Sequence, residues 1–270
     1  MGSHIYGQFN VPEAPSALMS LHWHDGTTLK EVDWEPKLAV LEQENFFAQG
    51  IDTATLVTGA PKVDALGNCT ANAFTVAYSN VAPDEATFRA HTATTGYEDA
   101  VGGECFAIRF YAGETHLTGV PSEEWPPKDC GSSGPYIVQY AQSLGLISGQ
   151  RIAHGAENII SLLQNGGVLQ GGPFLNAWEE PPASAIVDGD GSASALEAQI
   201  QMGVAGGHET FISGIAKLSL SITGRVEPEK TLLKVRNSWG PTFGDNGSFY
   251  IHLSTLEILG RYYDFRQIVP

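Results

Sequence analysis

Basic residues are scarce in this chain of 270 residues: 14 Lys and Arg stand against 30 Asp and Glu, a formal net charge of −16. A surface of that sign repels nucleic acid and anionic membranes, both polyanions, so neither is expected as a partner. No apolar run reaches the roughly 20 residues that a membrane span requires. Met1 to Phe9 lacks a basic region followed by an apolar core, so no secretory leader is expected there and the compartment stays open. Only three cysteines are present, Cys69, Cys105 and Cys130. That is too few for a disulfide-dependent scaffold, and the number is odd. If Cys69 is a reactive thiol, Cys105 and Cys130 remain as a possible pair. No repeat of 20 to 50 residues is visible, which excludes solenoids and propellers. What is present is ordinary: 42% hydrophobic residues, enough for a globular fold of one large domain or two subdomains around a buried core.

Element signals divide the chain. Residues 1–60 carry Trp23, Trp34, Phe46 and Phe47 and read as an N-terminal extension packed on the body. A short helix is expected over Lys37 to Gln49, closed by Gly50. His22 and His24 would share a strand face as a metal pair does, but no third ligand lies nearby, so no metal is expected. Residues 61–165 read as mainly helical, with helices from Ala71 to Asn80, Pro135 to Leu144 and Ala156 to Gln164. Glu104 to Ala112 is a buried helix or strand. Residues 166–270 read as mainly β. Strands are expected over Gly206 to Ile215, Leu218 to Gly224, Leu232 to Asn237 and Ser248 to Leu253. Pro181 to Ala195 reads as a surface loop, and its Asp188-Gly189-Asp190-Gly191 as a turn without the ligand spacing of a calcium loop.

Chemistry concentrates at three places. Gly67-Asn68-Cys69-Thr70-Ala71-Asn72-Ala73-Phe74 puts a thiol at a helix N-terminus, where peptide dipoles and unpaired N–H groups favour thiolate. Gly206-Gly207-His208 opens a strand with glycines that permit close approach. Asn237-Ser238-Trp239-Gly240 ends a strand with an amide. Cys, His and Asn in that order suit acyl transfer. The thiolate attacks a carbonyl, the imidazolium protonates the leaving amine, and the amide oxygen orients the ring. His208 lies about 140 residues beyond Cys69, within the roughly 130–150 expected for such an arrangement.

These three boxes resemble those of papain-like cysteine peptidases. Asn237-Ser238-Trp239-Gly240 with the following Phe-Gly-Asp-Asn-Gly-Ser-Phe is similar to their asparagine signature, and Gly207-His208 to their histidine box. Cys69-Thr70-Ala71-Asn72-Ala73 is similar to the cysteine box of the bacterial and viral branch. The resemblance implies an α+β fold of two subdomains, with Cys69 on the helical side and His208 and Asn237 on the β side of a cleft. It implies peptide or protein substrates and no cofactor. Cys130-Gly131-Ser132-Ser133-Gly134 sits where the family has a Gly-rich cleft wall, so Gly131, Ser132, Ser133, Gly134 and Gly207 are implied to bind substrate. Trp239 would shield the His–Asn hydrogen bond.

One position departs from the pattern. The family places a glutamine six residues before the cysteine, where its amide and the cysteine backbone N–H form the oxyanion hole. Here that position is Val63, which has no side-chain donor. Asn68, Asn72 and Gln49 are the candidates to replace it. Two other functions follow if none does: a catalytically silent binding or structural protein on the same fold, or a Cys–His amidase or acyltransferase acting on cell-wall peptide.

Overall fold

The structure, a computed structural model, describes residues 28–82, 84–92 and 100–270. His22 and His24 lie outside the described residues. The elements run β1 (Val32–Asp33), α1 (Thr53–Leu56), α2 (Cys69–Val81), α3 (Glu85–Thr92), α4 (Ala100–Thr115), α5 (Gly134–Ser143), β2 (Gly149–Ile152) and α6 (Gly155–Leu163). They continue β3 (Val168–Leu175), α7 (Ala193–Gln201), β4 (Val204–Lys217), β5 (Leu232–Arg236), β6 (Ser248–His252), α8 (Leu253–Leu259) and β7 (Asp264–Val269). The architecture is α+β. An antiparallel sheet in the order β2-β7-β3-β4-β5-β6 is joined by β1 on β4.

The long strand β4 organises the sheet. It pairs with β3 up to Ile212, and β1 takes over at Gly214 and Ile215 while β5 occupies the opposite edge. Gly214 is required there, because a Cβ would meet the Val32 carbonyl oxygen at 2.1 Å. One face of the sheet turns toward the helices: Leu169, Phe211 and Ile268 join the core built by α2, α4 and α5. The other face forms a second core with α6, α8 and Trp178, centred on Val168, Ile212, Val235 and Phe249.

Helix α2 is buried on nearly every side, so its polar residues must find partners inside the protein. Thr75 and Ser79 donate to the carbonyls of Ala71 and Val76. Thr70 and Asn72 donate to Glu114 and Glu104 of α4. Phe74 stacks on Phe110 at 4.5 Å between ring centroids, and each buried aromatic of this kind contributes roughly 1.5–3 kcal/mol.

Several sequence expectations are corrected. No helix forms over Lys37 to Gln49; the segment bends and turns, with Gln43 and Phe46 bonded to the backbone of Ser238, Leu66 and Asp64, so tertiary pairing overrides local propensity. Leu218 to Gly224 is a turn carrying a fully exposed Ile222, not a strand. Part of the expected loop Pro181 to Ala195 begins α7, with Ser192 as its N-cap. The strands β2 and β7 carried no recognised signal. Cys69, Cys105 and Cys130 are all free thiols, so the possible Cys105–Cys130 pair does not form. The Cys130 thiol instead points at the Glu123 carbonyl oxygen, 2.9 Å away. Asp188 holds its loop to β6 and α8. It accepts from the His252 backbone N–H and Thr255 Oγ1, both at 2.6 Å, and lies 2.8 Å from His252 Nδ1.

Candidate active site

Cys69 is the first residue of α2 and is fully buried. Asn68 before it makes no side-chain capping bond. Its amide donates to Glu104 Oε1 at 3.1 Å and to Asn72 Oδ1 at 3.2 Å, while Asn72 donates to Glu104 Oε2 at 3.2 Å. A buried carboxyl thus braces the turn that carries the thiol from behind. Burial pushes the Glu104 carboxyl up to about 7, against the opposing effect of the two amide donors.

His208 sits on β4, which packs against α2. Its Nε2 lies 2.7 Å from Asn237 Oδ1. The Ser238 backbone N–H donates to that same Asn237 atom at 2.8 Å, which identifies it as the amide oxygen. Nε2 therefore carries the proton, and in the neutral ring Nδ1 is the acceptor. The indole of Trp239 stacks on the imidazole, with centroids 4.7 Å apart and planes 25° from parallel. Phe174 closes the ring edge-on at 5.2 Å. Both residues are nearly inaccessible, so the His–Asn bond lies in a low-dielectric pocket that strengthens it.

The Gly-rich segment is tied to the cysteine turn by one acid. Asp129 Oδ2 accepts from the Gly67 N–H at 2.8 Å, and Oδ1 accepts from Tyr111 Oη at 2.8 Å. Tyr111 Oη in turn accepts from the N–H groups of Gly131 at 2.7 Å and Cys130 at 3.2 Å. Gly131 needs its positive φ of 74°. Ser132 and Ser133 are buried, and Gly134 begins α5. Gly207 pairs with Pro173 in the β3–β4 ladder, next to His208. The backbone holding Cys69 and the backbone of residues 130–131 thus share a single hydrogen-bonded support.

The candidates to replace Val63 as a donor are all engaged elsewhere. Asn68 and Asn72 face Glu104. Gln49 Nε2 donates to the carbonyls of Glu42 and Glu44 at 2.8 and 2.7 Å. Val63 itself is half-buried, with its N–H on Thr53 Oγ1. A glutamine that the sequence does not single out joins the two boxes. Gln43 is wholly buried. It accepts from Ser238 Oγ at 2.6 Å and donates from Nε2 to the Leu66 carbonyl at 3.2 Å. Its backbone bridges the same two neighbours: its N–H donates to Ser238 O and its carbonyl accepts from Leu66 N. The chain between them loops out and returns, with Phe46 N–H on Asp64 O. Loop closure costs little more as a loop lengthens, so Gln43 and Leu66 can be held together in space across the residues between them. The turn residues of that loop, Asn45 and Gly50 at positive φ and Gly59-Ala60-Pro61, were the only available signal.

No protein-family model matches the chain, and no curated protein is recognisably similar to it in sequence. In structure it is similar to xylellain, a cysteine protease from Xylella fastidiosa. The identity is 18%, the match covers 99% of this chain and 96% of that one, and the TM-score is 0.51. More distant are procathepsin B S9 from Trypanosoma congolense (16% identity, 97% and 85% covered, TM-score 0.41) and the bromelain protease of Ananas comosus (12%, 88% and 98%, 0.42). Like xylellain, the chain has a papain-like fold.

Proposed function

We propose that the protein is a cysteine peptidase that hydrolyses peptide bonds through a thioester on Cys69, with His208 as acid–base and Asn237 as the group that orients it. The observation that carries this reading is the His208 Nε2–Asn237 Oδ1 bond of 2.7 Å beneath the Trp239 indole, on a strand packed against the helix that Cys69 begins. Such a bond fixes the ring so that Nδ1 faces away from Asn237, as a base serving a thiol requires. The cysteine sulfur attacks the scissile carbonyl carbon to form a C–S bond. The His208 imidazolium then gives its proton to the departing amine as the C–N bond breaks. Water, deprotonated by His208, attacks the thioester and releases the acid, and the thiol recovers its proton.

Two donors serve the oxyanion in this reading: the backbone N–H of Cys69 and the side-chain amide of Gln43. Support for Gln43 lies in its geometry. Ser238 Oγ holds the amide oxygen and so turns Nε2 toward the turn that precedes Cys69. The departure at Val63 then carries no loss of catalysis. Gly131 to Gly134 and Gly207 line the path of the substrate backbone. The resemblance of Cys69-Thr70-Ala71-Asn72-Ala73 to the cysteine box of the bacterial and viral branch supports assigning the chain to that branch. The test is an activity-based thiol electrophile with a peptide recognition arm. It should label Cys69, and labelling should vanish in Cys69→Ala and His208→Ala. Absence of labelling, with no cleavage of a broad peptide library, would favour a silent binding protein. Transfer to added amines in preference to water would favour an acyltransferase.

A further inference from the structure

A second group of ionisable side chains lies beside the triad and plays no part in the chemistry described so far. Register places it. Glu209 pairs with Gly171, and Gly171 pairs with Asp264. Directly paired residues share a sheet face, so the two carboxyls stand on one face with no side chain between them. Two residues along, Phe211, Leu169 and Arg266 form the next row. Phe211 and Leu169 belong to the core shared with α2. The charged row therefore lies where the apolar contact between helices and sheet gives way, at the end carrying His208.

The helical side answers with another acid. Glu114 of α4 accepts from the hydroxyl of Thr70, the residue after Cys69, at 2.6 Å, and Ser132 lies beside its carboxyl. Gly134 backs directly onto the group: a Cβ there would meet Asp264 Oδ2 at 2.4 Å and Arg266 Nε at 2.8 Å. Thr70, the Gly131–Gly134 segment, β4 and β7 thus surround one polar enclosure.

Acids outnumber bases in it. Three carboxyls, Glu114, Glu209 and Asp264, accompany one guanidinium, Arg266. That guanidinium is committed, with Nε to Asp264 at 2.5 Å and Nη1 to Gln150 Oε1 at 2.6 Å. All four residues are at least 93% buried. Among the described residues, Glu209 Oε2 has no hydrogen-bond partner, and Ser132 Oγ and Glu114 Oε2 have none but each other. Burial pushes Glu114 up to about 8 and Glu209 well above the carboxylate range, with Asp264 adding to the rise at Glu209 and Arg266 opposing it. Buried acids lacking a counter-ion are a burden that apolar residues of similar size would remove.

We propose that this enclosure reads a cationic side chain, Arg or Lys, on the peptide laid along Gly131–Gly134, with Glu209 and Glu114 as its counter-ions. This rests on the peptidase reading and adds the substrate class to it. A guanidinium suits the site, because its planar fork can bond two carboxylates and a hydroxyl at once. The net charge of −16 draws cationic peptides toward the cleft in the same sense.

The test compares Arg with citrulline, its neutral isostere, placed in turn at each position around the scissile bond of a fluorogenic peptide. Wild type should favour Arg at one position by roughly ten- to a hundredfold in kcat/KM, the range of a charge-assisted hydrogen bond. Glu209→Gln and Glu114→Gln should each shrink that ratio severalfold or more. A ratio measured within one enzyme does not depend on the fraction that folds. In parallel, equilibrium binding of the same two peptides to Cys69→Ala reads the preference without turnover. If Cys69→Ala prefers Arg while wild type cleaves nothing, cation recognition stands and the peptidase reading falls. Equal handling of Arg and citrulline at every position in both assays overturns the inference, as does a preference that survives both glutamine variants.

Discussion

Replacing Gln43 by alanine separates the chemistry of the oxyanion from the reactivity of the thiol. In the structure Gln43 is held at both ends, by Ser238 Oγ and by the Leu66 carbonyl. Loss of one oxyanion donor costs about 10²–10³ in turnover, or about 3–4 kcal/mol. Truncation also leaves Ser238 Oγ and the Leu66 carbonyl short of a buried partner, at about 1–3 kcal/mol each in stability. The two effects have different readouts. Peptide kcat/KM should fall by at least about a hundredfold, whereas alkylation of Cys69 by iodoacetamide, a displacement at carbon that forms no oxyanion, should continue at near the wild-type rate. Gln43→Glu is the sharper variant. It retains an acceptor for Ser238 Oγ but presents negative charge to the developing oxyanion, so turnover should fall at least as far as in the alanine variant. Peptide turnover within a few-fold of wild type in both variants would refute the assignment and place the second donor elsewhere.

Stability should decline as pH rises through neutrality. Burial raises the Glu104 carboxyl from 4.5 to about 7, so between those values the native state holds a proton that the unfolded chain has released. Its contribution is present below about pH 4.5 and is lost by about pH 7 to 8, a difference of about 3 kcal/mol. Urea denaturation across that range should show the fall, with a shallower slope in Glu104→Gln; an identical slope in the variant would remove Glu104 as its source. Trp239→Ala should destabilise the protein by about 3–5 kcal/mol in the same denaturation assay, and should lower peptide kcat as water reaches the His208–Asn237 bond. Thiol titration of the unfolded, unreduced protein should count all three cysteines, and a count of one would contradict the free Cys105 and Cys130.

The parts of the fold that were legible in the sequence are those where local signals agree with tertiary demands. The segments Gly134–Ser143 and Gly155–Leu163 read as helices because apolar spacing, Pro135 and the terminal glycines all point the same way. The pairing of His208 with Asn237, 2.7 Å apart in the structure, was suggested by residue types that the proposed chemistry needs. Lys37 to Gln49 misled because its helical composition is overridden by backbone bonds to Ser238, Leu66 and Asp64. Strand β7 was missed because Asp264, Arg266 and Gln267 interrupt Phe265 and Ile268, a pattern that reads as surface although every one of these residues is buried. Gln43 was missed because its bonds to Ser238 and Leu66 arise only in three dimensions. The acidic enclosure could not be read at all, since its members come from α4, β4 and β7 and meet only in three dimensions.

In the proposed mechanism Cys69 forms a thioester with the acyl part of a peptide substrate. Rapid acid quench of the protein mixed with an activated peptide ester, followed by intact-mass and fragment analysis, tests it most directly. A transient mass increase equal to the acyl group should appear on Cys69 and decay as acid product forms, and should be longer-lived in His208→Ala. Turnover of the ester without any adduct on Cys69, or an adduct that maps to Cys105 or Cys130, would contradict it.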